Sequence, residues 1–277
     1  MWNRFCGWYH KLQKGDDTLS LIPGRSGQEA FIQVITQDAS YNIPYSLEAY
    51  RQHETVIIGD SQFSPSGIRL NINQRNLELS GDVAYIRPTP LDYDIMGPFK
   101  YLPMQCRHSV VSMHHALAGR VRFNDRTIDF SDGIGYIESD RGRAFPKSYT
   151  WVQCNDFAEK CSVMVSIAHI PFCGSSFEGC ICAILYRGRQ YRLATYKGVR
   201  ILQNDRGRIL IVQGRMALEV EIENSRSLPL RAPGAGGVMR RTIHESASTP
   251  ARFRFYDDGK LIFDLCSPHA SYEFVEP

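Results

Sequence analysis

The chain has 277 residues, 43% hydrophobic and 22% charged, which is enough apolar content for one large core or two modest ones and too much for a disordered or fibrous protein. Its 32 basic and 29 acidic residues leave a formal charge of +3 and are scattered rather than blocked, so no polyanion is called for and nucleic acid is not an expected partner. No apolar run approaches the roughly 18 residues needed to span a bilayer, and "MWNRFCGWYHKLQKGDD" lacks the apolar core of a signal peptide, which points to a cytoplasmic protein.

Short runs follow one another along the chain: "TLSLIPG", "AFIQVIT", "TVIIGD", "GIRLNIN" and "LELSGDVAYI" in the first part, then "SVMVSIAHI", "CICAILY", "YRLATY", "RILIVQG", "ALEVEIE" and "RFRFYDDGKLIF". Each alternates or is β-branched and aromatic, and each is bounded by Gly, Pro, Asn or Asp, so each predicts a strand. Only "SLEAYRQH" and "SVVSMHHALAG" read as helical turns, and the second runs on into a strand-like "RVRF". "DDGK" at residues 257–260 has the Asp-Gly chemistry of a tight hairpin. Two stretches, 87–105 with four prolines and 228–239 rich in Gly and Pro, read as irregular lids or binding elements. A faint internal echo pairs "LELSGDVAY" with "HALAGRVRF" and "FIQVI" with "WVQCN". So many antiparallel strands must close or stack to hide their edges, and two β-barrels fit the length better than one: an all-β protein with domains at 1–125 and 126–277.

Eight cysteines, Cys6, Cys106, Cys154, Cys161, Cys173, Cys180, Cys182 and Cys266, form no C-x-x-C pair and read as reduced residues of apolar strands. Cys180 and Cys182 would share one strand face. No dinucleotide fingerprint, P-loop or nucleophile elbow is present.

The unusual stretch is "GIGYIESDRGRAFPKSYTWVQCN", residues 133–155. On extended backbone Tyr136, Glu138 and Asp140 share a side, with Arg141 and Arg143 close enough to pair with them. On the next strand Tyr149, Trp151, Gln153 and Asn155 share a face. A purely structural face would carry Val, Leu and Ile, because a buried amide without partners costs about 1–3 kcal/mol, so rings mixed with amides suit a ligand cavity. In "CRHSVVSMHHALAG", His108 and His114 fall on one strand face with Ser112 between them and His115 points away. Histidine can donate or relay a proton near neutrality. Two histidines so spaced stand too far apart to share an ion, so no metal site is expected.

The residues from "GPFKYLPMQCRHS" to "WVQCNDF", with "SIAHIPFCGSSFEG", "YRLATYKGVRI", "LRAPGAGGVMRRTIHES" and "GWYHKL", resemble the tocopherol cyclase family over most of the chain. The most specific pieces are "M-x-C-x-H-S", "G-x-G-Y-I-E-x-D-x-G-x-x-F-P" and "W-x-Q-x-N". The chain departs from the family where Arg141 stands for a frequent Trp and Ala144 for a frequent Ser. The resemblance implies kinship with carotenoid hydratases and a pair of lipocalin-like β-barrels. It also implies protonation of a prenyl double bond and capture of the tertiary cation by a phenol oxygen, without metal or redox cofactor. The expected acid is Glu138 or Asp140, kept protonated by burial, with His108 third. Tyr136, Tyr149 and Trp151 would face the cation, and Gln153, Asn155 and His108 would orient the phenol or quinol, with His114 and Arg143 as further substrate contacts. The partner would be a small prenylated aromatic or terpenoid molecule, whose greasiness favours loose membrane contact. The alternative is a lipocalin-like protein that binds such a molecule without turning it over.

Overall fold

Alternating and β-branched runs fold as strands throughout the computed structural model, which describes residues 4–172, 174–223 and 226–276. Cys173 lies outside the described residues. The chain divides into two compact units: one holds the residues up to Asp92, Cys106–Phe145 and Leu230–Thr242, the other Tyr93–Gln105, Pro146–Pro229 and the residues from Ile243 onward.

The first unit contains β1 (Phe5–Lys14), β2 (Asp17–Arg25), β3 (Glu29–Thr36), β4 (Ser40–Ser46), β5 (Tyr50–Gln52), β6 (Val56–Ile58), β7 (Ser61–Ser64), β8 (Gly67–Gln74), β9 (Leu77–Ile86), β10 (Cys106–Phe123), β11 (Arg126–Asp129) and β12 (Ile134–Gly142). They form one antiparallel sheet in the order β4-β3-β2-β1-β12-β10-β9-β8-β7-β6-β5, with β11 on β10. Leu19 and Val34 from one end of that order share a core with Val56 and Phe63 from the other, so the sheet curls on itself. Each such buried side chain contributes on the order of 1.5–3 kcal/mol.

The second sheet is built from β13 (Tyr149–Cys154), β14 (Cys161–Phe172), β15 (Ser175–Tyr186), β16 (Arg189–Ala194), β17 (Arg200–Asp205), β18 (Arg208–Gln213), β19 (Met216–Ile222), β20 (Leu228–Ala232), β21 (Arg241–Asp257) and β22 (Lys260–Val275). Its order is β16-β15-β14-β13-β22-β21-β19-β18-β17, with β20 on β21. Ile184 and Leu193 meet Ile209 and Ile211 in its core, so this sheet curls as well. The two lipocalin-like β units expected from the sequence are present, and among the described residues the only helices are single 3₁₀ turns, none long or apolar enough to cross a membrane.

Several expectations are corrected. "SVVSMHHALAG" lies wholly inside β10, not in a helix. Bulges between Val110 and Ser112 and between Ser112 and His115 break its alternation, which is why its pattern reads ambiguously. "SLEAYRQH" supplies only the 3₁₀ turn Leu47–Ala49 before β5. The boundary expected at 125/126 falls in the β10–β11 turn; β12 pairs with both β1 and β10 and completes the first sheet, so the chain leaves that unit after Phe145. Residues 228–239, expected to be irregular, begin with β20.

The "DDGK" turn has Asp258 at φ 56° and Gly259 at φ 72°, the twin positive angles of a two-residue hairpin. The echo of "LELSG" in "HALAG" is also physical. Gly81 and Gly119, at φ 139° and 144°, face each other's strands, and a Cβ on either would lie 2.2 or 2.1 Å from a partner carbonyl oxygen.

Candidate functional site

Alternation along β12 sends Ile137 into the apolar core and Tyr136, Glu138 and Asp140 to the other side of the sheet. That second side is buried too: Tyr136 is 0% and Glu138 5% exposed. Register adds neighbours from both flanking strands. On β1, Tyr9 lies opposite Glu138 and Lys11 opposite Tyr136, and on β10, His108 lies opposite Asp140.

These residues form one connected cluster. The Tyr136 hydroxyl donates to Glu138 Oε2 at 2.6 Å. His108 Nδ1 is hydrogen-bonded to Asp140 Oδ1 at 3.1 Å, and its Nε2 stands 3.4 Å from Glu138 Oε2, an ion-pair rather than a hydrogen-bond geometry. Cys106 Sγ donates to the same Asp140 oxygen at 3.4 Å. Burial alone would strip the proton from His108, but Glu138 and Asp140 more than offset it and raise its pKa to about 9. At neutral pH the imidazole is therefore protonated, set between the Glu138 and Asp140 side chains. Burial, followed by the Glu138 charge, holds the Tyr136 hydroxyl well above its usual range, so it stays a donor. Burial and then Asp140 do the same to the Cys106 thiol.

Of the sequence-predicted residues, Tyr136, Glu138, Asp140 and His108 thus come together. The cation set between the acids is the His108 ring, whereas Arg141 is exposed and Arg143 is exposed just past the end of β12. Ser112, expected on the His108 face, is carried by the first bulge to the core side, where it pairs with Ile137 and bonds His115 Nδ1 at 3.0 Å. His114 is half-buried; burial and, after it, the His114 ring oppose protonation of His115. His108, Glu138 and Asp140 each offer one ligand atom, all within 4.8 Å of one another, so with the imidazole deprotonated one nitrogen and two carboxylates could seat a cation, a set that the spacing of the histidines alone does not reveal.

Tyr149, Trp151 and Gln153 share a face as expected, but in the second unit, and Asn155 follows the last residue of β13. Val152 and Cys154 turn to that unit's core, the first three lie on the opposite side of β13, and all four polar-face candidates are buried. Register places Trp151 opposite Glu273 and Gln153 opposite Ser271, and the Tyr149 hydroxyl donates to Glu273. Gln153 is 0% exposed, yet among the described residues neither its Nε2 nor its Oε1 has a hydrogen-bond partner. Glu245 on β21 lies opposite Glu273, which gives this face two buried carboxylates.

Sequence reasoning missed Tyr9, Lys11, Cys106, Glu245 and Glu273. The signal for the first two was a lysine inside the strand-like "GWYHKL", since Lys is rarely buried without a task.

The family model described as Tocopherol cyclase-like matches residues 75–273. The chain belongs to this family. Among solved structures its fold is similar to that of CghA in complex with Sch210972, with TM-score 0.62 and 8% identity over 98% of this chain and 88% of that one. It is also similar to kievitone hydratase from Nectria haematococca, with TM-score 0.56 and 11% identity over 98% of this chain and 88% of that one. A protein described as AttH from Nitrosomonas europaea gives TM-score 0.54 and 12% identity over 99% and 92%. At such identities the likeness is one of fold.

Proposed function

We propose that the chain is an enzyme that cyclises a prenylated phenol or quinol by proton transfer, as the family description suggests. The observation that carries this reading is Glu138: a carboxyl 5% exposed, with the Tyr136 hydroxyl and the His108 ring both on Oε2. Glu138 is the better donor of the two acids, because the Asp140 side chain is 23% exposed against 6% and is engaged in holding His108 Nδ1. Asp140 is then a positioning residue.

The proposed cycle balances. The proton held by the cluster adds to the less substituted carbon of a trisubstituted olefin and leaves a tertiary cation. The phenol oxygen attacks the tertiary cationic carbon, a C–O bond closes the ring, and the phenolic proton returns to Glu138. Tyr136 and His108 stabilise the carboxylate in the interval, and the rings of Tyr136 and Tyr9 on the same face are suited to the passing cation. No atom is gained or lost, so the reaction is an isomerisation that consumes no cofactor. The second unit carries a ligand-binding candidate of its own, Gln153, because a buried amide with neither atom partnered among the described residues costs about 1–3 kcal/mol until something bonds it. Tyr149, Trp151 and Asn155 flank it; His114 and Arg143 remain proposed contacts.

The test is incubation of the pure protein with a series of prenylated hydroquinones and mass analysis. A cyclase gives an isobaric product, whereas a hydratase gives one heavier by a water. A chain that binds the quinol saturably and returns it unchanged is the binding protein instead.

A further inference from the structure

A cavity of about 590 Å³ lies in the second unit, within the size range of small-molecule sites. Its lining comes entirely from that unit and includes none of the residues of the acid cluster or of the β13 polar face.

The apolar wall follows from strand alternation. Tyr272 and Phe274 on β22 turn to the core side with their rings stacked at 6.5 Å, and Ile222 ends β19 beside them. The polar side chains lining the cavity are Arg206, Ser227, His244, Ser246, Tyr272 and the acid Glu223. Arg206, in the turn between β17 and β18, holds its guanidinium 5.7 Å from the centre of the Phe274 ring, and its ion pair with Glu276 is long at 3.9 Å. The backbone N–H of Gly207 donates to Tyr272 Oη at 3.0 Å, which occupies an acceptor position of the phenol and leaves its own proton to give. Only a glycine fits there, since φ is +86° and a Cβ would stand 2.8 Å from Ile222 O. Burial raises the Tyr272 pKa, so the hydroxyl remains a donor. Glu223 on the rim opposes a second negative charge.

We propose that this cavity binds an amphipathic monocarboxylate, its apolar body against Ile222, Tyr272 and Phe274 and its carboxylate on the Arg206 guanidinium and the Tyr272 hydroxyl. Arg206 beside the Phe274 ring and the Tyr272 hydroxyl line one cavity, and two such donors match one acid group on a greasy body.

Titration calorimetry with dodecanoate and dodecanol tests this. Dodecanoate should bind at one site, with the alcohol about tenfold weaker or more, since an acceptor charge facing two donors is worth roughly that factor. Arg206→Gln, at an exposed position that does not threaten folding, should weaken dodecanoate about tenfold and leave dodecanol unchanged. Tyr272→Phe should weaken it by roughly threefold to tenfold. Glu138→Gln should leave dodecanoate binding unchanged, which separates this site from the acid cluster. Equal binding of acid and alcohol, unaltered affinity in Arg206→Gln, or no dodecanoate binding by the native chain would overturn the proposal.

Discussion

His108 and His115 ride on the same strand, both nearly sealed from water, and are held in opposite charge states. His108, on the polar side of the sheet, is raised to about 9, while His115, on the core side, is lowered to about 3 by burial and then by His114. His10, also in the core, is lowered to about 3 by burial and then by His115. Burial pulls on all three alike, so only the presence of carboxylates separates them. The lesson is that the β1–β12–β10 region has two buried faces with different chemistry: one excludes charge, and the other stores a proton.

The comparison can be broken first at the acids. Glu138→Gln should lower kcat by about 10²–10⁴, the usual worth of a positioned proton donor. Asp140→Asn should cost less and instead move the alkaline limb of the pH–rate profile to lower pH, because His108 loses one of the charges that raises it. Steady-state assays across pH 6 to 10 distinguish the two; an equal loss with an unmoved profile would assign Asp140 no positioning role.

Stability should then depend on pH from both sides. His108 contributes fully below its unfolded pKa of 6.5, and the contribution, on the order of 3 kcal/mol, is lost as pH rises through about 9. His10 and His115 contribute in the reverse sense: their share is complete above 6.5 and is lost as pH falls toward 3. Denaturant unfolding at several pH values should show both limbs, and only the alkaline one should vanish in His108→Gln.

Two glycines facing opposite sides sharpen the contrast by a smaller amount. A Cβ at Gly135 would stand 2.1 Å from His115 Nε2 in the packed core, so Gly135→Ala should lower stability by about 1–3 kcal/mol. A Cβ at Gly7, opposite Asp140 on the polar face, would meet none of the described residues nearer than 4.0 Å, and Gly7→Ala should change stability by less than about 0.5 kcal/mol. The smallest effect divides the two units. Gln33, the partner of Gln153 in the internal echo, is buried but satisfied, donating to Arg231 O at 2.9 Å and accepting from Arg231 N at 2.7 Å. Gln33→Met should destabilise by about 1 kcal/mol, whereas Gln153→Met should be neutral or stabilising by up to about 1 kcal/mol.

Most of the fold was legible because period-two alternation and turn residues repeat in nearly every strand, from "LELSGDVAYI" to the "DDGK" hairpin. It failed at β10, where two bulges interrupt the period, and at the boundary, because the return of β12 between β1 and β10 is a matter of pairing rather than of local pattern. The same limit shaped the site. Alternation alone put Tyr136, Glu138 and Asp140 on one side, but only register could add Tyr9, Lys11 and His108 to them. Nor could it assign "GYIESD" and "TWVQCN" to different units, since a few residues of chain separate them.

The central claim is that the Tyr136–Glu138–His108–Asp140 cluster hands a solvent-derived proton to an olefin. Turnover of a prenylated hydroquinone in D₂O tests it most directly: the account predicts one deuterium on the ring-closed product, at the carbon next to the new C–O bond, with label and product lost together in Glu138→Gln. Product free of solvent deuterium, or undiminished labelled product from that variant, would contradict it.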